Sequence, residues 1–179
     1  MDINTFVNIT SRAWTLPILA NLHSGIPGRQ AALLSATGAS RSAFTQSMEH
    51  LIEIGLLERN PGHGHPLRPE FRLTPVGQSA AVIANKILDV SEEEEQELLR
   101  RSWTLPVLAT LRKPSQFCEI KRSLLTISDR ALSQSLQRME VRNWVHRRVD
   151  NEARPPMPRY CAINTGAMIS NITSAVTLT

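Results

Sequence analysis

Cysteine and long apolar runs are what this sequence has least of. Only Cys118 and Cys161 occur among 179 residues. Two thiols cannot build a disulfide framework, and neither sits at the spacing of a metal site. Apolar stretches stop at about six residues, against the ~18–20 needed to cross a bilayer, so no transmembrane segment is expected. The opening MDINTFVNIT lacks a basic stretch followed by an apolar core, so no secretory signal is expected and the location reads as cytoplasmic. Glycine is scarce, and no phosphate-cradling loop emerges. No Ser/His/Asp or Cys/His constellation stands out, which makes an enzyme the least expected class. No cofactor and no metal is expected either: His63 and His65 in the segment PGHGHP have no cysteine or acidic cluster to complete a site. With 41% hydrophobic and 20% charged residues, a packed soluble core remains.

Charge is distributed unevenly. The net charge is +4, but residues 1–88 hold seven Lys/Arg against five Asp/Glu. Residues 89–97, DVSEEEEQE, hold six carboxylates and no base. Residues 98–179 hold thirteen Lys/Arg against five Asp/Glu. A half this basic suits a polyanion such as nucleic acid, although a solvated basic face without a partner has the same composition.

The chain also repeats itself. WTLPILANL at 14–22 and WTLPVLATL at 103–111 agree at seven of nine positions, 89 residues apart. Ser40–Met48 (SRSAFTQSM) aligns with Ser128–Leu136 (SDRALSQSL) at a spacing of 88. Phe71–Gly77 (FRLTPVG) aligns with Tyr160–Gly166 (YCAINTG), again at 89. Three blocks in one order mean two copies of one unit, read here as 1–88 and 98–179 joined by an acidic linker, 89–97, that begins a connecting helix.

Each copy has the same outline. A helix carries the WTLP block, with Pro17 or Pro106 near its start. A second helix is expected near Arg29–Ser35 and Phe117–Leu125, then a third over 40–54 and 128–142, capped by Ser40 and Ser128. Leu132, Leu136 and Met139 share one side of the latter and point to a core. Short strands at Leu56–Arg59 with Phe71–Leu73, and at Trp144–Arg148 with Tyr160–Ile163, make a hairpin around a Pro-rich loop. A last helix runs from Gly77 and from Gly166. The fold class is mainly α with short β-hairpins (α+β): two tandem winged-helix domains.

The second copy resembles the HxlR-type (DUF24) winged-helix regulators. The likeness rests on Trp103-Thr104-Leu105, Phe117-Cys118-Glu119-Ile120, Ile127-Ser128 with Leu132-Ser133-Gln134, and the wing Arg154-Pro155-Pro156-Met157-Pro158-Arg159-Tyr160. The first copy keeps the Trp14 block, Thr45-Gln46 and Phe71-Arg72-Leu73-Thr74, while its second helix, RQAALLSA, has drifted. The resemblance implies a transcriptional regulator that binds double-stranded DNA, bacterial in style, with the transcription machinery as a further candidate partner. Such proteins pair as homodimers; this chain holds both copies and is expected to act as an intrachain pseudo-dimer, as a monomer or again as a homodimer. The rival reading is a protein-interaction scaffold with weak or no DNA binding, favoured for the first copy by Glu49 and the acidic linker.

Helical stepping of 100° per residue sets Arg130, Ser133, Gln134 and Gln137 opposite the apolar stripe. Those side chains match base edges: Arg to guanine, Gln to adenine, Ser to either. Lys121 and Arg122 suit phosphate clamping, and Arg147, Arg148, Arg154 and Arg159 suit backbone or minor groove. The first copy offers Arg41, Ser42, Thr45, Gln46 and Glu49, where Glu49 adds repulsion near phosphates. The second copy is therefore expected to be the stronger reader. The remaining features have plain expectations: Cys118 as a buried structural thiol, Trp14 and Trp103 as core, and Ser91 as the cap of the SEEEE run.

Overall fold

The computed structural model describes residues 1–60, 69–150 and 156–178, with Asp150 given by its backbone only. In chain order the elements are α1 (Ile3–Thr10), α2 (Thr15–His23), α3 (Gln30–Thr37), α4 (Arg41–Glu53), β1 (Leu57–Asn60), β2 (Glu70–Leu73) and α5 (Pro75–Asp89). A 3₁₀ turn, Glu93–Glu95, leads into α6 (Gln96–Leu99). Then follow α7 (Thr104–Thr110), β3 (Ser115–Gln116), α8 (Phe117–Leu124), α9 (Asp129–Val141), β4 (Val145–Asp150), β5 (Met157–Ala162) and α10 (Asn164–Ile172). The chain divides into two compact units, Arg12–Asp89 and Met1–Ser11 with Val90–Thr179. Both contain helix, helix–turn–helix and hairpin, so the class is the expected mixture of helices with small antiparallel sheets.

In the unit Arg12–Asp89, Pro17 is the third residue of α2, where the backbone N–H has no intrahelical partner and a proline costs little. Ile18 and Leu19 of α2 are fully buried, as are Ala81, Ala84 and Ile87 of α5, against which α2 packs. Ser40 starts α4 by accepting from the Ala43 N–H at 3.4 Å, and Phe44, Met48 and Leu51 face the core. The end of α4 is a Schellman turn: Leu56 N–H reaches Leu51 O at 2.9 Å and Gly55 N–H reaches Ile52 O at 3.0 Å. That closure needs a left-handed residue, and Gly55 has φ 73°. β1 and β2 then pair antiparallel, Leu57 opposite Leu73.

The other unit repeats this plan with firmer edges. Pro106 again stands third in its helix, and Ser128 caps α9 by accepting from the Ala131 N–H at 3.2 Å. The Schellman turn recurs as Trp144 N–H to Met139 O at 2.8 Å and Asn143 N–H to Glu140 O at 3.0 Å. Here Asn143 takes the left-handed position, φ 55°, as asparagine can. The sheet has three strands, ordered β3-β5-β4. The single bridge Arg29–Glu70 is the first copy's remnant of the β3 pairing.

Three features depart from the sequence reading. First, α1 was not anticipated, and its residues group with the later half of the chain. Ile3 N–H donates to Thr177 O at 3.0 Å, Thr10 Oγ1 donates to Ser102 O at 3.0 Å, and Ile3, Phe6 and Ile9 are buried. Second, the acidic run is capped by Glu92, not Ser91: Glu92 and Glu95 exchange a reciprocal capping box, the Glu95 carboxylate accepting from the Glu92 N–H at 3.0 Å. Third, Trp14 and Trp103 stand half-buried at the starts of α2 and α7, and the tryptophan in the core is Trp144.

Trp144 ties the hairpin to the acidic turn. Its Nε1–H donates to Glu95 Oε1 at 2.7 Å, and Thr165 Oγ1 donates to the same oxygen at 3.1 Å. Partial burial works to raise the Glu95 pKa. The hydrogen bonds from Trp144, the Glu92 backbone and Thr165, with the charge of Arg142 nearby, outweigh it and hold the carboxyl below its ordinary value.

Candidate nucleic-acid interface

The helices expected over 40–54 and 128–142 span Arg41–Glu53 and Asp129–Val141, each preceded by its serine cap. On α9, Leu132, Ser135, Leu136 and Met139 are buried, so the opposite side is forced outward. Arg130, Ser133, Gln134 and Gln137 are all exposed there. Val141 continues that stripe one turn beyond Gln137 and is 77% exposed. Carrying the same 100° step four residues further would have found it.

Lys121 and Arg122 are exposed near the end of α8. Lys121 is already engaged: its Nζ lies 2.6 Å from Oδ1 of Asp129, the first residue of α9. That pair joins the two helices of the helix–turn–helix, and it was not read from the sequence. The Asp129 carboxylate also faces the positive end of the α9 dipole.

The wing of this unit concentrates positive charge. Arg147 is in register with Tyr160 and Arg148 with Arg159. Arg147 and Arg148 are exposed and Arg159 is half-buried. The register thus sets two guanidinium-bearing residues directly opposite each other across β4–β5. Arg154, the remaining wing residue of the sequence reading, lies outside the described residues, as do His63 and His65.

The first copy is built differently. Arg41, Ser42, Gln46 and Glu49 are exposed on α4 and Thr45 is half-buried, its hydroxyl donating to Arg41 O at 2.9 Å. In its hairpin Glu58 opposes Arg72, and Arg72 Nη2 lies 3.5 Å from Glu70 Oε2. Acid and base alternate there, so that hairpin neutralises itself.

Neither cysteine behaves as a buried structural thiol. Cys118 is exposed, because it precedes the buried Ile120 by two residues on the solvent side of α8, and Cys161 is half-buried with Sγ 3.5 Å from His146 O. Among the described residues no group of three or more His, Cys, Asp or Glu is gathered for a metal ion. No helix among them is long and apolar enough to cross a membrane.

Comparison with known proteins agrees with this architecture. The chain is 30% identical over 84 residues to an HTH-type transcriptional regulator of Mycobacterium bovis and, equally, to one of Mycobacterium tuberculosis. The match takes in 46% of this chain and 52% of each relative, so the chain spans about half the length of the curated relatives it matches. No solved structure matches it significantly. The profile of the HxlR-like helix-turn-helix family matches twice, at residues 9–97 and 98–177. With two matches that between them take in nearly every residue, the chain belongs to the HxlR-like helix-turn-helix family, as two copies in tandem.

Proposed function

We propose that this protein is a sequence-specific regulator of transcription that binds double-stranded DNA, with the second copy as its principal reader. One observation carries the reading: α9 exposes Arg130, Ser133, Gln134 and Gln137 on one face, beside a hairpin that sets Arg148 against Arg159. Polar and guanidinium side chains on that helix face fit the donor and acceptor pattern of a major groove. The wing arginines, with Arg122, supply phosphate contacts that fix register and carry most of the salt dependence, while Lys121 is held by Asp129. In the first copy Arg41, Ser42, Thr45 and Gln46 make weaker or more specialised contacts, limited by Glu49. The function is non-enzymatic, and the partner is duplex DNA.

The test is a binding titration on random and genomic duplexes at several salt concentrations. Affinity should fall linearly in log–log form with salt. Replacing Arg130 and Gln134 together with Ala should remove preference between sites while leaving salt-dependent binding. Retained preference would overturn the assignment of α9 as the reader.

A second reading has its own observation. In the first copy, Met48, Ile52 and Phe71 line a depression of about 260 Å³ between α4 and the hairpin, with Glu49 and Arg59 at its edge. A protein-interaction role for that copy follows if no duplex binds even at low salt.

A further inference from the structure

We propose that the second copy carries a binding site for a small amphiphilic anion, of the hydrophobic carboxylate class, between α6 and the C-terminal half of α9. A depression of about 310 Å³ lies there. Its apolar part is Leu98, which is buried, and Val141, which is 77% exposed. Its charged edge is Arg101, Arg138 and Arg142, with the Gln137 amide beside them. Glu97 accepts from Arg101 Nη2 at 2.8 Å and so matches one guanidinium. Glu97 is the one carboxylate among the lining residues, against three guanidiniums, and that surplus of positive charge selects an anion.

Cations at this end of α9 have a simpler use, since they complement the negative end of the helix dipole. That use does not explain an apolar side chain left open among them. The internal repeat gives a second, independent contrast. At a spacing of 88, Gln137, Arg138, Val141 and Arg142 correspond to Glu49, His50, Glu53 and Ile54. The first copy therefore presents carboxylates at the places of Gln137 and Val141, and a histidine and an isoleucine at the places of the two guanidiniums. A shared packing role would have kept one chemistry in both copies. The cavity's size and mixed lining, an apolar floor with a few convergent polar groups, fit a small molecule.

Gln137 belongs both to this cavity and to the α9 face proposed to read DNA. Resting on that earlier reading, an occupant here competes with duplex and lowers its affinity. The test is calorimetric titration of the full chain with 1-naphthoate, and with neutral 1-naphthol as the second arm, in the absence of DNA. The carboxylate should bind at least about tenfold more tightly than the alcohol. Val141→Glu, at an exposed position, and Arg138→Gln should each weaken naphthoate by about tenfold or more, with a thermal melt that shows both variants folded at the titration temperature. No binding, equal binding of acid and alcohol, or full binding by both variants would overturn the site. Because the titration contains no DNA, failure of duplex binding is read separately. Naphthoate that binds but leaves duplex affinity unchanged overturns the competition through Gln137.

Discussion

At the scale of single residues, the turn between α8 and α9 holds a strained side chain. Leu125 closes α8 with φ 47° and is 64% exposed, so it adopts a conformation that L-residues avoid and gains little burial for it. In the first copy the turn residue after α3 is Gly38, φ 65°, for which that region is free of steric cost. Leu125→Gly should therefore stabilise the chain by up to about 1 kcal/mol, strain relief exceeding the added freedom of the unfolded chain. An unchanged or lower urea midpoint would show that the leucine is not strained. Asp129 is the second informative residue, because its carboxylate holds Lys121 at 2.6 Å. Asp129→Asn should free that ammonium for phosphate. Duplex binding should then tighten for all sequences alike, with a salt slope steeper by about one unit. A gain confined to one sequence would mean that Asp129 acts in base reading instead. The serine caps and the outward face of α9 were legible because they follow from local rules: a β-region cap and a period of 3.6. The Lys121–Asp129 pair was not, since the geometry of the turn from Leu125 to Ser128 decides whether those side chains meet.

At the scale of elements, both copies seat the last helix on the hairpin in the same way. A Cβ on Gly77 would collide with the Leu56 carbonyl, and one on Gly166 with the Trp144 carbonyl. Gly166→Ala should cost about 1–3 kcal/mol as the backbone is forced apart, visible as a lower denaturation midpoint. The second copy adds a clamp that the first lacks, the bonds from Trp144 and Thr165 to Glu95. Because folding lowers the Glu95 pKa, the ionised form is favoured by the native state. Its contribution is present above the unfolded value, ordinarily about 4.3, and is lost as pH falls through the lower folded value. Glu95→Gln should thus melt earlier than the parent at neutral pH, and the gap should close below about pH 4. A gap that stays constant with pH would remove the charged form from the explanation. None of this clamp was readable in the sequence. The acidic run looked like a helix start, and only tertiary placement brings Glu95 to a tryptophan 49 residues away. The helices and hairpins that the two copies share were readable, because two diverged copies show which positions a fold keeps.

For the whole molecule, tandem duplication lets two related surfaces diverge within one chain. On the proposed function, holding both on one chain would make a second contact intramolecular and free the pair from reading a symmetric target. The charge pattern has followed that freedom: the hairpin of Arg12–Asp89 alternates acid and base, while that of the other unit gathers arginines. Sequence spacing describes the repeat but not the packing, for α1 lies within residues 1–88 and groups with the second copy. Its apolar residues give no local sign of this, since an amphipathic turn reads the same whichever core receives it. The consequence is sharp. Ile3, Phe6 and Ile9 are 0%, 1% and 2% exposed, so they are core of the unit that includes Val90–Thr179. Phe6→Ala should destabilise that unit by about 3–5 kcal/mol through lost burial and the cavity left behind. Trp103 and Trp144 belong to the affected unit and Trp14 to the other, so in a Trp14→Phe background tryptophan fluorescence reports the affected unit. A fragment of residues 90–179 should unfold more readily than the same residues in the full chain, and a synthetic peptide of residues 1–11 should restore part of the loss. Equal stability of the fragment with and without the peptide, together with a Phe6→Ala chain that melts like the parent, would place α1 outside that core.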